Sequence, residues 1–229
     1  MSTASFGAIA GTELSLLIDV SGSVNLSEFN LQMDGYGSAF RNAANQNPII
    51  NGGGIAVDYV FFSCTASAGN NWTLLSDVAS INAFASTLET AARPTTLGNT
   101  TGISAGMLAS RLSFVNNGFE GNRLVMDVSG DGVENVSTDA AVRAQRDLAF
   151  ASGIIVNGLP IGPASLATYY TNNVITANGF SLPVSGFAGF QSAINQKLFR
   201  ELGGEVPEPG TYAMMGLGLM GLAYFRRKR

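Results

Sequence analysis

Eleven residues near the start of the chain, Leu14-Ser15-Leu16-Leu17-Ile18-Asp19-Val20-Ser21-Gly22-Ser23-Val24, constrain its fold more than any other stretch. Leu14, Leu16, Leu17 and Ile18 form a short, nearly continuous apolar run, the pattern of a strand covered on both faces of a parallel sheet. The run stops at Asp19-x-Ser21-x-Ser23. The next segment, Ser27 to Ala44, carries Phe29, Met33, Phe40 and Ala44 at near-helical spacing. A strand that ends in Asp-x-Ser-x-Ser and feeds a helix presents hard oxygen atoms at the carboxyl edge of the sheet. Such donors suit Mg²⁺ or Mn²⁺.

A second stretch repeats the pattern. Leu124, Val125 and Met126 lead into Asp127-Val128-Ser129-Gly130-Asp131-Gly132. Two strand ends of one doubly wound sheet meet where strand order reverses, which is where open α/β sheets bind ligands. Between them, Leu97-Gly98-Asn99-Thr100-Thr101-Gly102 forms a small polar loop that enters another apolar-periodic segment. Each loop alone reads as an ordinary turn or helix cap, since Asp, Ser and Thr favour both. All three in this order, each at a strand–helix junction, point to a metal site. Asp127 differs, because it falls inside the strand end. It is expected to be a hydrogen-bonded structural carboxylate, with support of a metal ligand as the alternative.

These residues resemble a von Willebrand factor A-type domain with its metal-ion-dependent adhesion site, over roughly Glu13 to Leu202. The resemblance implies a doubly wound, mainly parallel α/β sheet flanked by helices. It assigns the metal to Asp19, Ser21, Ser23, Thr100 and Asp131, with Thr101 as second choice for the threonine. It also implies that the serines and threonine touch the ion, that one or both aspartates act through water, and that a ligand carboxylate completes the sphere. The closer resemblance is to an uncharacterised bacterial branch of these domains. It rests on Asp127 to Gly132, the Asn157-Gly158-Leu159-Pro160-Ile161 run, Tyr169-Tyr170 and Lys197-Leu198-x-Arg200-Glu201. No biochemical role follows from that branch.

The rest of the chain alternates in the same way. Strands are expected at Ile55–Ser63, Trp72–Leu75 and Gly153–Leu159. Helices are expected at Asp77–Ala91, Gly102–Val115, Thr138–Ala151 and Leu166–Val174, and around Phe190, Ile194 and Leu198. In the second of these helices, Ile103, Met107, Leu108, Leu112 and Val115 read as core packing. Alternation of this kind gives a helix-covered parallel sheet. With 46% hydrophobic and 12% charged residues, the 229-residue chain has enough apolar material to fill such a core.

Composition removes several chemistries. There is no histidine, which excludes the Ser-His-Asp triad and the common zinc ligands. The single Cys64, expected to be a buried thiol, excludes an internal disulfide. Through Glu205 the chain carries 15 acidic and 8 basic residues; an acidic body of this kind argues against nucleic acid.

The tail reverses that charge. Val206-Pro207-Glu208-Pro209-Gly210-Thr211 cannot continue a helix. Tyr212 to Phe225 is apolar, and Arg226-Arg227-Lys228-Arg229 closes the chain. Fourteen helical residues span about 21 Å, short of the roughly 30 Å hydrocarbon layer, so this is a marginal membrane span. The positive-inside rule keeps its basic end in the cytoplasm and puts the acidic body across the membrane. Pro207-Glu208-Pro209, the short apolar segment and the terminal arginines closely resemble the PEP-CTERM sorting signal of Gram-negative bacteria. The resemblance implies processing by an exosortase near Pro207-Glu208-Pro209, then release or attachment at the surface, often alongside exopolysaccharide and biofilm. Met1 to Gly11 lacks the basic and apolar regions of an export signal.

The expected organisation is an N-terminal stub (1–12), a von Willebrand factor A-type domain (13–205) and a sorting signal (206–229). The expected function is that of an exported adhesion protein rather than an enzyme. It would hold Mg²⁺ (or Mn²⁺ or Ca²⁺) and bind an acidic group on a protein or polysaccharide partner. A structural envelope protein is the first alternative. A metal-assisted hydrolase with Asp127 as its base is the second.

Overall fold

The computed structural model describes residues 8–203. The stub before Ala8 and the sorting tail, with its expected membrane helix, lie outside the described residues. In chain order the elements are β1 (Ala8–Ala10), β2 (Thr12–Asp19), α1 (Leu26–Arg41), α2 (Ala43–Asn51), β3 (Ile55–Phe62), β4 (Ala66–Ala68), β5 (Thr73–Leu75) and α3 (Val78–Glu89). There follow α4 (Ile103–Ser113), β6 (Phe119–Gly121), β7 (Leu124–Gly130), α5 (Asp139–Ala151), β8 (Ile154–Pro160), α6 (Ala164–Asn173), a 3₁₀ turn (Phe187–Gly189) and α7 (Phe190–Glu201).

The main sheet has the order β4-β3-β2-β7-β8, with β5 also pairing β3. β3, β2, β7 and β8 run parallel, while β4 and β5 add short antiparallel edges to β3. Every residue of β2 and β3 is buried, which explains their lack of polar alternation. β1 and β6 pair in parallel as a separate two-stranded sheet.

Strand parity sorts the core into two layers. Leu14, Leu16 and Ile18 face Phe29, Met33, Tyr36 and Phe40 of α1, Phe84 of α3 and Phe190, Ile194 and Leu198 of α7. Leu17, Met126, Val128 and Val156 face Ile103 and Met107 of α4, Val142 of α5 and Leu166 and Tyr170 of α6. Each fully buried side chain of this size contributes about 1.5–3 kcal/mol. Helices thus cover both faces of the sheet, as the alternation of elements predicts.

Three packing expectations change. Leu108, Leu112 and Val115 are exposed, 62% in the case of Val115, because only the Ile103–Met107 side of α4 meets the sheet. Ala44 is exposed as well: the helix ends at Arg41, and Asn42 caps a second one, its side chain accepting from the Ala44 N–H. Cys64 is half-buried rather than enclosed, since it lies past the end of β3 with its Cβ against Gly98.

Candidate metal centre at the sheet edge

β2 lies between β3 and β7, and the chain leaves it in one direction for β3 and returns on the other side for β7 and β8. Asp19 ends β2 and Asp131 follows β7, so the two aspartates flank the point where strand order reverses. Open α/β sheets offer a crevice there.

Local bonds shape each loop. Asp19 Oδ1 accepts from the Ser21 N–H at 2.8 Å, turning the chain out of the strand. Arg93 Nη2 donates to the carbonyls of Val20 and Ser21 at 2.7 and 3.0 Å, bracing the same turn. Asn25 and Glu28 then form a capping box that starts α1. The Gly22 N–H donates to the Asn99 carbonyl, and a Cβ on Gly22 would lie 2.9 Å from that oxygen. Glycine lets these two loops touch.

The threonine loop is tied to the Asp131 loop. The Thr101 N–H donates to Asn135 Oδ1 at 2.7 Å, and the Asn135 N–H donates to the Thr101 carbonyl at 2.9 Å. Glu134 accepts from the N–H groups of Ser104, Val136 and Ser137, which caps α4 and folds its own loop. Tyr169 Oη accepts from the Glu134 N–H and donates to Asp139 Oδ1.

The result is a continuous cluster of oxygens. Thr101 Oγ1 donates to Ser21 Oγ at 3.1 Å, the Ser21 and Ser23 hydroxyls lie 3.2 Å apart, and Ser23 Oγ donates to Asp131 Oδ1 at 2.5 Å. Asp19, Ser21, Ser23 and Asp131 therefore come together as the spacing predicts. The threonine that joins them is Thr101. Thr100 is exposed, and its carbonyl accepts from Ser63 Oγ, which turns the residue away. Choosing between adjacent threonines takes the direction of the backbone, which spacing alone does not carry.

Burial pushes the Asp19 carboxyl up to about 7, with the Ser21 hydrogen bonds opposing and Asp131 adding to the rise. Asp131 is also raised, by burial first and by Glu28, with Ser23 opposing. Among the described residues no cationic side chain bonds either carboxylate, and Asp19 Oδ2 is buried without a hydrogen-bond partner. Two carboxylates and three hydroxyls with an orphaned oxygen match the hard donor set of a divalent cation. Among the described residues, His, Cys, Asp and Glu nowhere gather in threes, so the hydroxyls are essential to this reading.

Asp127 belongs to another cluster. Lys197 Nζ of α7 sits 2.5 Å from Asp127 Oδ1 and 2.5 Å from Glu201 Oε1, all three side chains fully buried. Asn157 Nδ2 donates to the same Glu201 oxygen, and Asn157 Oδ1 accepts from the Phe180 N–H. The structural role expected of Asp127 is thus an ion pair, with a partner seventy residues away that its sequence neighbourhood does not announce.

This sheet order and site define a von Willebrand factor A-type fold. The family model described as "Protein of unknown function (DUF1194)" matches residues 9–206, and the chain belongs to that family. The PEP-CTERM protein-sorting motif matches residues 205–229. Among curated proteins, none matches the chain.

Several solved structures share the fold. The proximal thread matrix protein 1 of the mussel byssus superposes with a TM-score of 0.66 at 15% identity, over 86% of this chain and 48% of that one. The same mussel protein with a zinc-occupied MIDAS motif gives 0.58 at 14%, over 82% and 46%. A von Willebrand factor type A protein from Catenulispora acidiphila gives 0.60 at 13%, over 86% and 44%. The pilus adhesin SpaC of Lactobacillus rhamnosus GG gives 0.64 at 13%, over 86% and 31%. This chain spans less than half the length of each.

Proposed function

We propose that the protein is an exported, surface-sorted binding protein that engages its partner through a divalent cation. The observation that carries this reading is the convergence of Asp19, Ser21, Ser23, Thr101 and Asp131 from three loops, with Asp19 Oδ2 buried and unpartnered. Ser21, Ser23 and Thr101 would hold Mg²⁺ or Mn²⁺, with Asp19 and Asp131 ligating directly or through water. Oxygen donors favour these ions or Ca²⁺, and zinc remains the ion named for the mussel protein. The bound ion supplies positive charge at the rim of an acidic body, where it attracts a carboxylate or similar group on a protein or polysaccharide. The sorting motif supports export, exosortase processing and a place at the envelope, and a matrix protein and a pilus adhesin share the fold. A link to biofilm belongs to the same proposal.

A hydrolase is disfavoured, because Asp127, the base it would need, is buried against Lys197. A structural role for the ion is the second reading, since the loops already hydrogen-bond to one another. Titration calorimetry of Mg²⁺ into the full chain tests the site itself. One site is expected, weakened about 100-fold or more in Asp131→Ala, a size known for metal-site ligands and their supports. No heat from the folded wild type would sink the metal reading. Mg²⁺ binding that raises stability, with partner capture unchanged by EDTA, would favour the structural one.

A further inference from the structure

Asp19 Oδ2 is not the only buried oxygen at this edge without a partner. The Tyr170 hydroxyl of α6 is fully buried and also unpaired. Both lie against Gly130. A Cβ built on Gly130, the last residue of β7, would lie 2.7 Å from Asp19 Oδ2 and 2.9 Å from Tyr170 Oη. Those distances cap the separation of the two oxygens at what a single water crosses with two ordinary hydrogen bonds.

The sheet is built to admit this side chain. Gly158 of β8 would carry a Cβ 2.8 Å from Tyr170 Cδ1, so the ring lies over Gly158 and its hydroxyl reaches past Gly130 toward β2. Gly130 and Gly158 stand on neighbouring paired strands, and both point to the face that α6 covers. Any larger residue at either position closes the path. A phenol keeps its proton at neutral pH, so the Tyr170 hydroxyl is available as a donor. A buried donor and a buried acceptor left unpaired each lose their hydration without return. One water between them satisfies both.

We propose that Tyr170 is a positioning residue for the metal centre: through one water bridging the two oxygens beside Gly130, its hydroxyl donates to Asp19 Oδ2 and holds that carboxylate toward the ion. The inference rests on the metal reading above. Asp19 Oδ1 accepts from the Ser21 N–H while Oδ2 has no hydrogen-bond partner, so without Tyr170 that second oxygen is left unheld. With it, both oxygens are committed before the ion arrives. Outer partners of this kind are worth roughly 10–100-fold in metal affinity.

The test is Mg²⁺ titration of the full chain, its Tyr170→Phe variant and its Gly130→Ala variant, by calorimetry and by near-ultraviolet difference absorption of the tyrosine band. In the wild type, saturation with Mg²⁺ is expected to shift the tyrosine band. Tyr170→Phe removes one oxygen and keeps the packed ring. It is expected to abolish the shift and weaken Mg²⁺ about tenfold. Gly130→Ala drives a Cβ against both oxygens, parting them, and is expected to do the same with all six tyrosines present. Wild-type Mg²⁺ affinity in Tyr170→Phe, or an unshifted tyrosine band in a wild type that binds Mg²⁺, overturns this inference and leaves the metal site standing. No Mg²⁺ binding by the wild type overturns both.

Discussion

Two clusters of carboxylates sit on the same sheet and resolve the same problem differently. At the carboxyl edge, Asp19 and Asp131 come together with hydroxyls and no cationic side chain. Under α7, Asp127 and Glu201 come together around Lys197. The inner cluster holds two acids against one base. Burial and Asp127 push Glu201 up to about 7 against the pull of Lys197, so a proton neutralises the excess acid. The outer cluster reaches solvent at Ser23 and Asp131, and its hydroxyls are neutral oxygen donors rather than charge partners. The closed cluster neutralises itself; on the proposed reading, the open one would be completed by a ligand. Acid pairs look alike in a sequence, and the presence of a lysine from a remote helix separates them.

The largest effect expected is at Lys197. Lys197→Met leaves Asp127 and Glu201 buried without a counter-charge and is expected to cost about 3–5 kcal/mol of unfolding free energy in urea titrations. Combining it with Asp127→Leu is expected to recover much of that loss. A single variant as stable as the wild type would break the comparison.

The proton of the inner cluster gives the next effect. A carboxyl whose folded value lies above its unfolded one binds more protons in the folded state between the two, so stability falls as pH rises through that window. For Glu201 the window runs from about 4.5 to about 7, and the loss amounts to roughly 3 kcal/mol. Thermal unfolding from pH 5 to 8 is expected to show this decline, and Glu201→Gln to lessen it, the remainder coming from Asp19 and Asp58, which burial also raises. The share from Glu201 should persist in saturating Mg²⁺, because the proposed ion would sit at the other cluster.

The smallest effect sharpens the outer cluster. Thr101→Val removes a hydroxyl bonded to Ser21 and is expected to weaken Mg²⁺ about tenfold by calorimetry. Thr100→Val, one residue away and exposed, is expected to leave it unchanged. Equal effects of the two would mean that the loop turns differently from the geometry described.

Much of this was legible beforehand. Leu14 to Ile18 read as a doubly covered strand because apolar residues on successive positions leave no face for water. The meeting of Asp19, Ser21, Ser23 and Asp131 was legible because each sits in a turn just past a strand that ends at the same sheet edge. Leu108, Leu112 and Val115 misled, because helical periodicity marks a face without saying what covers it. Tyr169 and Tyr170 stood out only as part of a resemblance. Their hydroxyls lie by different loops, one holding the Glu134 turn and the other beside Gly130, near Asp19.

By itself, the order of apolar runs and oxygen-bearing loops determined a doubly wound sheet, the edge at which a cation would sit, and a tail that resembles a sorting signal. These are local properties, set by two or three adjacent residues and by the alternation of strand and helix. Tertiary structure alone decided that Thr101 and not Thr100 faces Ser21, that Lys197 pairs with Asp127, and that the Tyr170 hydroxyl and Asp19 both lie beside Gly130. Each of these depends on strand register and on side chains brought together from distant segments, and a linear pattern carries neither.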